Sequence, residues 1–205
     1  MLTGFTAALL LITVSELGDK TFFIGMIMAM RYPRRYVFLG AIAALIAMTV
    51  ISVLLGQFIA FLPKKYTTYG AIALFLFFGA KLLWDAWRME ELPESEAIEE
   101  AQTAIAQSQK NLKRHPQWWA IVLETFILTF LAEWGDRTQI ATIVLAAANN
   151  PVGVTIGAIL GHAICALIAV LGGKFIAGRI SERKVTAIGG MLFFVFAGVS
   201  LIEVV

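Results

Sequence analysis

Glu16-Leu17-Gly18-Asp19-Lys20-Thr21 sits inside one long apolar stretch of the chain, and Glu133-Trp134-Gly135-Asp136-Arg137-Thr138 sits inside another. The two hexapeptides are 117 residues apart, and the alignment they define continues outward. At the same shift Val37, Gly40, Ala41 and Ile42 meet Val154, Gly157, Ala158 and Ile159, and Leu54, Gly56, Phe58, Ile59 and Ala60 meet Leu171, Gly173, Phe175, Ile176 and Ala177. Two residues further on, Gly70, Phe75, Phe77 and Gly79 meet Gly189, Phe194, Phe196 and Gly198. Apolar composition alone produces some of these matches, but not a repeated six-residue motif carrying three charges.

The apolar residues fall into six segments, at about 3–30, 35–61, 67–89, 118–148, 152–178 and 185–205. Each is long enough to cross a bilayer, which takes about 20 apolar residues in a helix. The chain is 60% hydrophobic and 15% charged, against roughly 45–50% and 25% for soluble domains. The expected fold class is therefore an all-α integral membrane protein of six transmembrane helices. Three helices per half is an odd number, so the halves enter the membrane from opposite sides and form two inverted three-helix repeats. The repeats are expected at 1–89 and 117–205, joined by a connector at 90–116. The first segment lacks a basic leader and a small-residue cleavage site, and reads as a retained helix.

The connector begins with glutamates, among them Glu90, Glu91 and Glu94, and ends with Lys110, Lys113, Arg114 and His115. Ile98, Ile105 and Leu112 recur every seven residues, which predicts a solvated amphipathic helix near the membrane surface. Eleven lysines and arginines lie in loops one–two, three–four and five–six, against Lys64 and Lys65 on the other side. By the positive-inside rule the connector is cytosolic and both termini are extracytoplasmic. The single cysteine, Cys165, excludes an internal disulfide and a cysteine metal cluster.

Ionisable groups deep in a membrane segment face a partner or a wet cavity. In each motif Glu, Asp and the basic residue stand at i, i+3 and i+4, on one face of a continuous helix. One reading is purely structural: two internal salt bridges, Glu16–Lys20 and Glu133–Arg137. It leaves Asp19 and Asp136 without partners, which is costly in lipid. The functional reading gathers Glu16, Asp19, Glu133 and Asp136 at one central site, with Lys20 and Arg137 beside them. Thr21, Thr138 and Gln139 supply neutral oxygens, and Gly18 and Gly135 permit close packing or local unwinding. Four acids and two bases leave two negative charges, matched by one divalent cation or two protons. Oxygen ligands suit Ca²⁺, Mn²⁺ or Mg²⁺ rather than Cu⁺ or Zn²⁺. Glu124 is a candidate entry carboxylate. His162, whose repeat counterpart is Leu45, is either a packed histidine or an accessory residue. Gly153, Gly157 and Gly161 form a smooth stripe for close helix contact.

The doubled motif resembles the signature E-x-G-D-[KR]-[TS] of the Gdt-type Ca²⁺/Mn²⁺:H⁺ exchanger family, also catalogued as UPF sixteen and including transmembrane protein 165. Both copies match it at every position, and the likeness covers nearly the whole chain outside 90–116. It implies a secondary transporter, not an enzyme, that exports Mn²⁺ or Ca²⁺ from the cytosol in exchange for protons. It assigns the cation to Glu16, Asp19, Glu133 and Asp136, with Lys20, Thr21, Arg137, Thr138 and Gln139 in support, and implies no cofactor. The form resembles bacterial members, so the expected site is a bacterial plasma membrane or a thylakoid membrane. The expected partners are the cation, protons and the bilayer, with a homodimer left open and no nucleic acid. A small exporter of cationic amino acids, of the lysine-exporter type, is the alternative. It would need an elongated pocket, whereas a compact acid cluster suits a point charge. An intramembrane metalloprotease has no H-E-x-x-H to rest on.

Overall fold

The computed structural model describes residues 1–89, 96–108, 117–176 and 181–202. These are helical, with no strand among them: α1 Leu2–Glu16, α2 Lys20–Arg31, α3 Arg34–Ile59, α4 Lys64–Arg88, α5 Glu96–Ser108, α6 Trp118–Glu133, α7 Arg137–Ala148, α8 Pro151–Ile176 and α9 Glu182–Ile202. Four of them, α3, α4, α8 and α9, are long and apolar enough to cross a membrane, and the bent pair α6–α7 makes a fifth candidate span. Of the six helices expected, these give four to five candidate spans among the described residues, and of the two readings of Gly18 and Gly135 the structure takes local unwinding. Segments one and four are each cut in two at the acidic motif, and α6 and α7 meet at 73°.

The cause of the cut is local and the same in both halves. Leu17 and Trp134 are extended (ψ 113° and 115°), and Asp19 and Asp136 are extended (ψ 168° and 161°). Between them Gly18 and Gly135 take φ 83° and 81°, a left-handed conformation that costs a side-chain-bearing residue about 1–2 kcal/mol. Each motif thus ends one helix at its glutamate and starts the next after its aspartate. The continuous face expected for Glu, Asp and the basic residue does not exist; three separate backbone conformations aim them instead.

The halves are interleaved. α1 packs on α8 and α3 on α6, while α2 packs on α8 and α3 on α7; the shift of 117 exchanges the members of each set. A methyl group added at Gly40 would meet the Val122 carbonyl and Phe126, and one added at Gly157 would meet the Phe5 carbonyl and Leu9. Those contacts are also related by the shift. The expected glycine stripe of α8 lies on α1: Gly153 is against Met1, Gly157 against Phe5, and Gly161 against Leu9 and Thr13. Residue numbers rise together on both helices, so α1 and α8 run parallel. So do α3 and α6–α7, where Gly40 faces Val122 and Gly56 faces Ile143. In contrast, α4 and α9 are antiparallel, with Gly79 against Gly190 and Phe75 against Phe193.

The outer surface is apolar, as lipid contact requires: Phe77, Leu131, Leu171 and Met191 are each more than half exposed. Trp84, Trp87, Trp118 and Trp119, also exposed, flank the connector, where interfacial aromatic residues belong. The connector helix α5 is less solvated than expected. Ala101 and Ile105 are fully buried in a cluster with Phe22, Met26 and Val37, and Ile98 packs against it. Glu90, Glu91, Glu94, Lys110, Leu112, Lys113, Arg114, His115 and Arg179 lie outside the described residues.

Candidate functional site

Glu16 closes α1 and Glu133 closes α6, and each residue is 2% exposed. The motif threonine of the same half holds one oxygen of each. The Thr21 hydroxyl donates to Glu16 Oε2 at 3.0 Å, and the Thr138 hydroxyl donates to Glu133 Oε2 at 3.3 Å. The remaining oxygens, Glu16 Oε1 and Glu133 Oε1, are buried without a hydrogen-bond partner. Asp19 repeats the pattern: Oδ1 accepts from Arg137 at 3.3 Å, and Oδ2 is buried and unpartnered. Glu16, Asp19 and Glu133 offer oxygens within 4.8 Å of one another. Hard divalent ions take oxygen ligands at roughly 2.0–2.6 Å, so three carboxylates from both halves converge on a volume of ionic size.

The fourth acid behaves differently. Asp136 Oδ2 accepts from the Thr138 backbone N–H at 3.2 Å and its hydroxyl at 3.1 Å. It therefore caps α7 in the ordinary way of an N-terminal aspartate. It is not one of the three clustered carboxylates, although it stays in electrostatic reach of all of them. Asp19 holds the equivalent position at the start of α2 and makes no side-chain cap. The repeats are thus near-copies in sequence and backbone but unlike in what their aspartates do.

Arg137 belongs to the second half and serves the first. Its Nη2 donates to Asp19 Oδ1 and to the Ser15 carbonyl, both at 3.3 Å. The ion pair it makes is this one across the repeats, where the structural reading expected a pair within its own motif. Lys20, its counterpart, is half-buried at the start of α2. Two helix N-termini, of α2 and α7, end at this cluster, and their partial positive charge favours the acids gathered there. Gln139 secures the break: its Oε1 accepts from the Gly135 N–H at 2.7 Å.

A methyl group on Gly135 would meet nothing within 4 Å, so Gly135→Ala isolates the backbone term. It is expected to cost about 1–2 kcal/mol, lowering the unfolding temperature in detergent and the transport rate together. An unchanged melting curve would remove the left-handed glycine from the account.

His162 is 5% exposed and its Nδ1 stands 4.0 Å from Glu16 Oε1. Cys165 is core, donating from Sγ to the Thr13 carbonyl. Glu124 is half-buried on α6 and takes no part in the carboxylate group. Sequence reasoning missed Ser15 and Thr129. The signal for Thr129 was present, since it is a hydroxyl one helical turn before Glu133, but its repeat counterpart is Ile12. A cleft on one side of the cluster, lined by Ser15, Gly18, Asp19, Arg137, Met89 and Thr186, opens toward the end of α4 and the start of α9. A second cavity has Glu16, Thr21, Thr129 and His162 in its wall.

Comparison with known proteins identifies the family. The family model for the divalent cation/proton antiporter GDT1 matches residues 4–90 and 121–205, which include both motifs. GDT1-like protein sll0615 of Synechocystis sp. is 65% identical over 200 residues, covering 98% of this chain and 97% of that one. GDT1-like protein 3 of Oryza sativa subsp. indica is 46% identical over 198 residues, covering 93% of this chain and 71% of the relative. The PAM71-homolog, chloroplastic, of Arabidopsis thaliana is 42% identical over 218 residues, covering 98% of this chain and 60% of that protein. No solved structure matches. A transporter and not an enzyme, the chain belongs to the GDT1 family of divalent cation/proton antiporters.

Proposed function

We propose that the protein exports Mn²⁺ or Ca²⁺ from the cytosol in exchange for protons, through one site built by Glu16, Asp19 and Glu133 from two inverted three-helix repeats. The observation that carries this reading is the oxygen cluster itself. Each of the three carboxylates has one oxygen held by a protein donor and one buried without a partner. With Arg137 beside them the group carries two negative charges, which one divalent cation neutralises and two protons neutralise equally. Binding the metal expels the protons, and protonation releases the metal.

The packing directions support the repeat assignment. Six passes of alternating direction need segments one and five parallel, two and four parallel, and three and six antiparallel. The α1–α8, α3–α7 and α4–α9 contacts follow that pattern. On this reading 1–89 and 117–205 are the repeats, 90–116 is cytosolic, and both termini are extracytoplasmic. The Ser15–Asp19–Arg137 cleft is also lined by Met89 and Val185, which adjoin Arg88 and Lys184 on the side rich in basic residues, and this supports a conformation open to the cytosol. The unequal roles of Asp19 and Asp136 are those expected of a carrier caught in one of two mirror states. Relatives from Synechocystis and from a chloroplast support a plasma or thylakoid membrane. A compact cluster for a point charge, in a member of a cation/proton family, leaves the cationic amino acid exporter without support.

The test is proton flux in proteoliposomes loaded with Mn²⁺ or Ca²⁺. Metal moving one way is expected to drive protons the other, and a pH gradient alone to drive the metal uphill. Since protons and metal compete for the same oxygens, raising the pH on the cytosolic face should lower the apparent KM for the metal. Transport indifferent to the proton gradient would end the proposal.

A further inference from the structure

The cavity beyond Glu16 holds an unusual set of buried atoms. Glu16 Oε1, His162 Nδ1 and Thr129 Oγ1 are all buried, and all three are without a hydrogen-bond partner. Their residues are 2%, 5% and 1% exposed, and all three line the same cavity. An unsatisfied polar atom inside a protein costs roughly 1–3 kcal/mol, so three facing one small cavity mark a place where something polar binds. A histidine present only for packing would have its ring nitrogens satisfied. The fold does not require one: Leu45, its counterpart in the first half, lies in the wall of the same cavity.

We propose that His162 Nδ1, Glu16 Oε1 and Thr129 Oγ1 form a second cation position adjoining the three-carboxylate site, and that its nitrogen selects Mn²⁺ over Ca²⁺. The separation of Nδ1 and Oε1, 4.0 Å, lets a single ion touch both, since two ligands at about 2.2 Å can lie up to about 4.4 Å apart. Glu16 is also a member of the main cluster, so the two positions share its carboxylate. All three ions favour oxygen ligands, but Ca²⁺ and Mg²⁺ are hard cations that take oxygen almost throughout, whereas Mn²⁺, the weakest binder of the first-row transition series at nitrogen and oxygen sites, still gains from an imidazole beside its carboxylates. The pair of positions is therefore lopsided by design of sequence: both halves give carboxylates, and only the second gives a nitrogen.

This inference rests on the proposed antiport at Glu16, and its test separates the two. The purified protein in detergent is loaded with Mn²⁺ alone and its electron spin-echo modulation recorded. The expected result is a ¹⁴N coupling to the bound ion that disappears in His162→Leu, the residue of the other repeat. In proteoliposomes the same substitution should lower the ratio of Mn²⁺ to Ca²⁺ flux by at least about tenfold, the lower end of the loss that follows when only the support of a metal ligand is removed. Thr129→Val should move the ratio in the same direction by less. Bound Mn²⁺ without nitrogen coupling in the unaltered protein, or an unchanged flux ratio in His162→Leu, overturns the inference and leaves the carboxylate site standing. Should His162→Leu not fold, the unaltered protein's spectrum and His162→Gln decide. An unaltered protein that exchanges no divalent ion for protons overturns both.

Discussion

Glu16→Gln and Glu133→Gln are each expected to reduce metal-driven proton flux by at least about 100-fold, roughly 3 kcal/mol of lost ion stabilisation, while leaving a folded protein. Each glutamate offers the site one free oxygen, and its other oxygen is held by Thr21 or Thr138. Glutamine keeps the size of the side chain and can still accept from that hydroxyl. What it removes is a negative charge buried to 2% exposure, and a buried charge destabilises a folded chain unless it is compensated. The melting temperature in detergent should therefore stay level or rise as transport disappears. A structural role predicts the reverse, with melting falling and flux following it. Asp136→Asn should be milder than either in metal affinity, because asparagine is as good an N-terminal cap as aspartate and Asp136 is occupied by capping α7. Flux within about twofold of the unaltered protein in Glu16→Gln would exclude that oxygen from the cluster.

What could be read from the sequence was whatever repeats or alternates. The 117-residue shift identified both halves and both motifs because charge in an apolar segment is rare enough to be informative. The helix cuts were harder to see. Glycine followed by aspartate inside a helix reads equally as tight packing or as a break, and the i, i+3, i+4 spacing looked like one face. Only backbone angles decide it, and here Gly18 and Gly135 are left-handed. The division of labour between Asp19 and Asp136 could not be read at all, since the two residues occupy identical positions in nearly identical motifs. Asp19 takes its partner, Arg137, from the other half, so the difference arises from how the halves pack and not from either motif alone. Thr129 was obscured, and His162 left between a packing and an accessory role, for the opposite reason. Their repeat counterparts are Ile12 and Leu45, so an argument built on symmetry gives them no weight, although the packing of α1, α6 and α8 brings them to Glu16.

Arg137→Gln is expected to tighten metal binding and slow transport. Arg137 is the base paired with Asp19 across the repeats, and it lies in electrostatic reach of all four acids. Removing its charge leaves the three clustered carboxylates at minus three, one more than a divalent ion neutralises. The metal is then held more firmly, and the two protons that would displace it no longer balance the site. The apparent KM should fall by about tenfold, and the maximal rate by at least as much, a split that separates loss of release from loss of binding. Arg137→Lys keeps the charge and should retain much of the rate, the more so because a single nitrogen, Nη2, makes both the Asp19 and the Ser15 contacts and an ammonium group also carries several donors. Lys20→Gln gives the internal comparison. In this conformation Arg137, not Lys20, makes the ion pair across the repeats, so Lys20→Gln should change the KM at the cytosolic face less than Arg137→Gln. If the carrier exchanges the roles of its halves, Lys20→Gln should instead affect release on the far side. A raised KM with an unchanged maximal rate in Arg137→Gln would mean that the arginine only orders the site, and the charge balance proposed for the exchange of one metal for two protons would be lost.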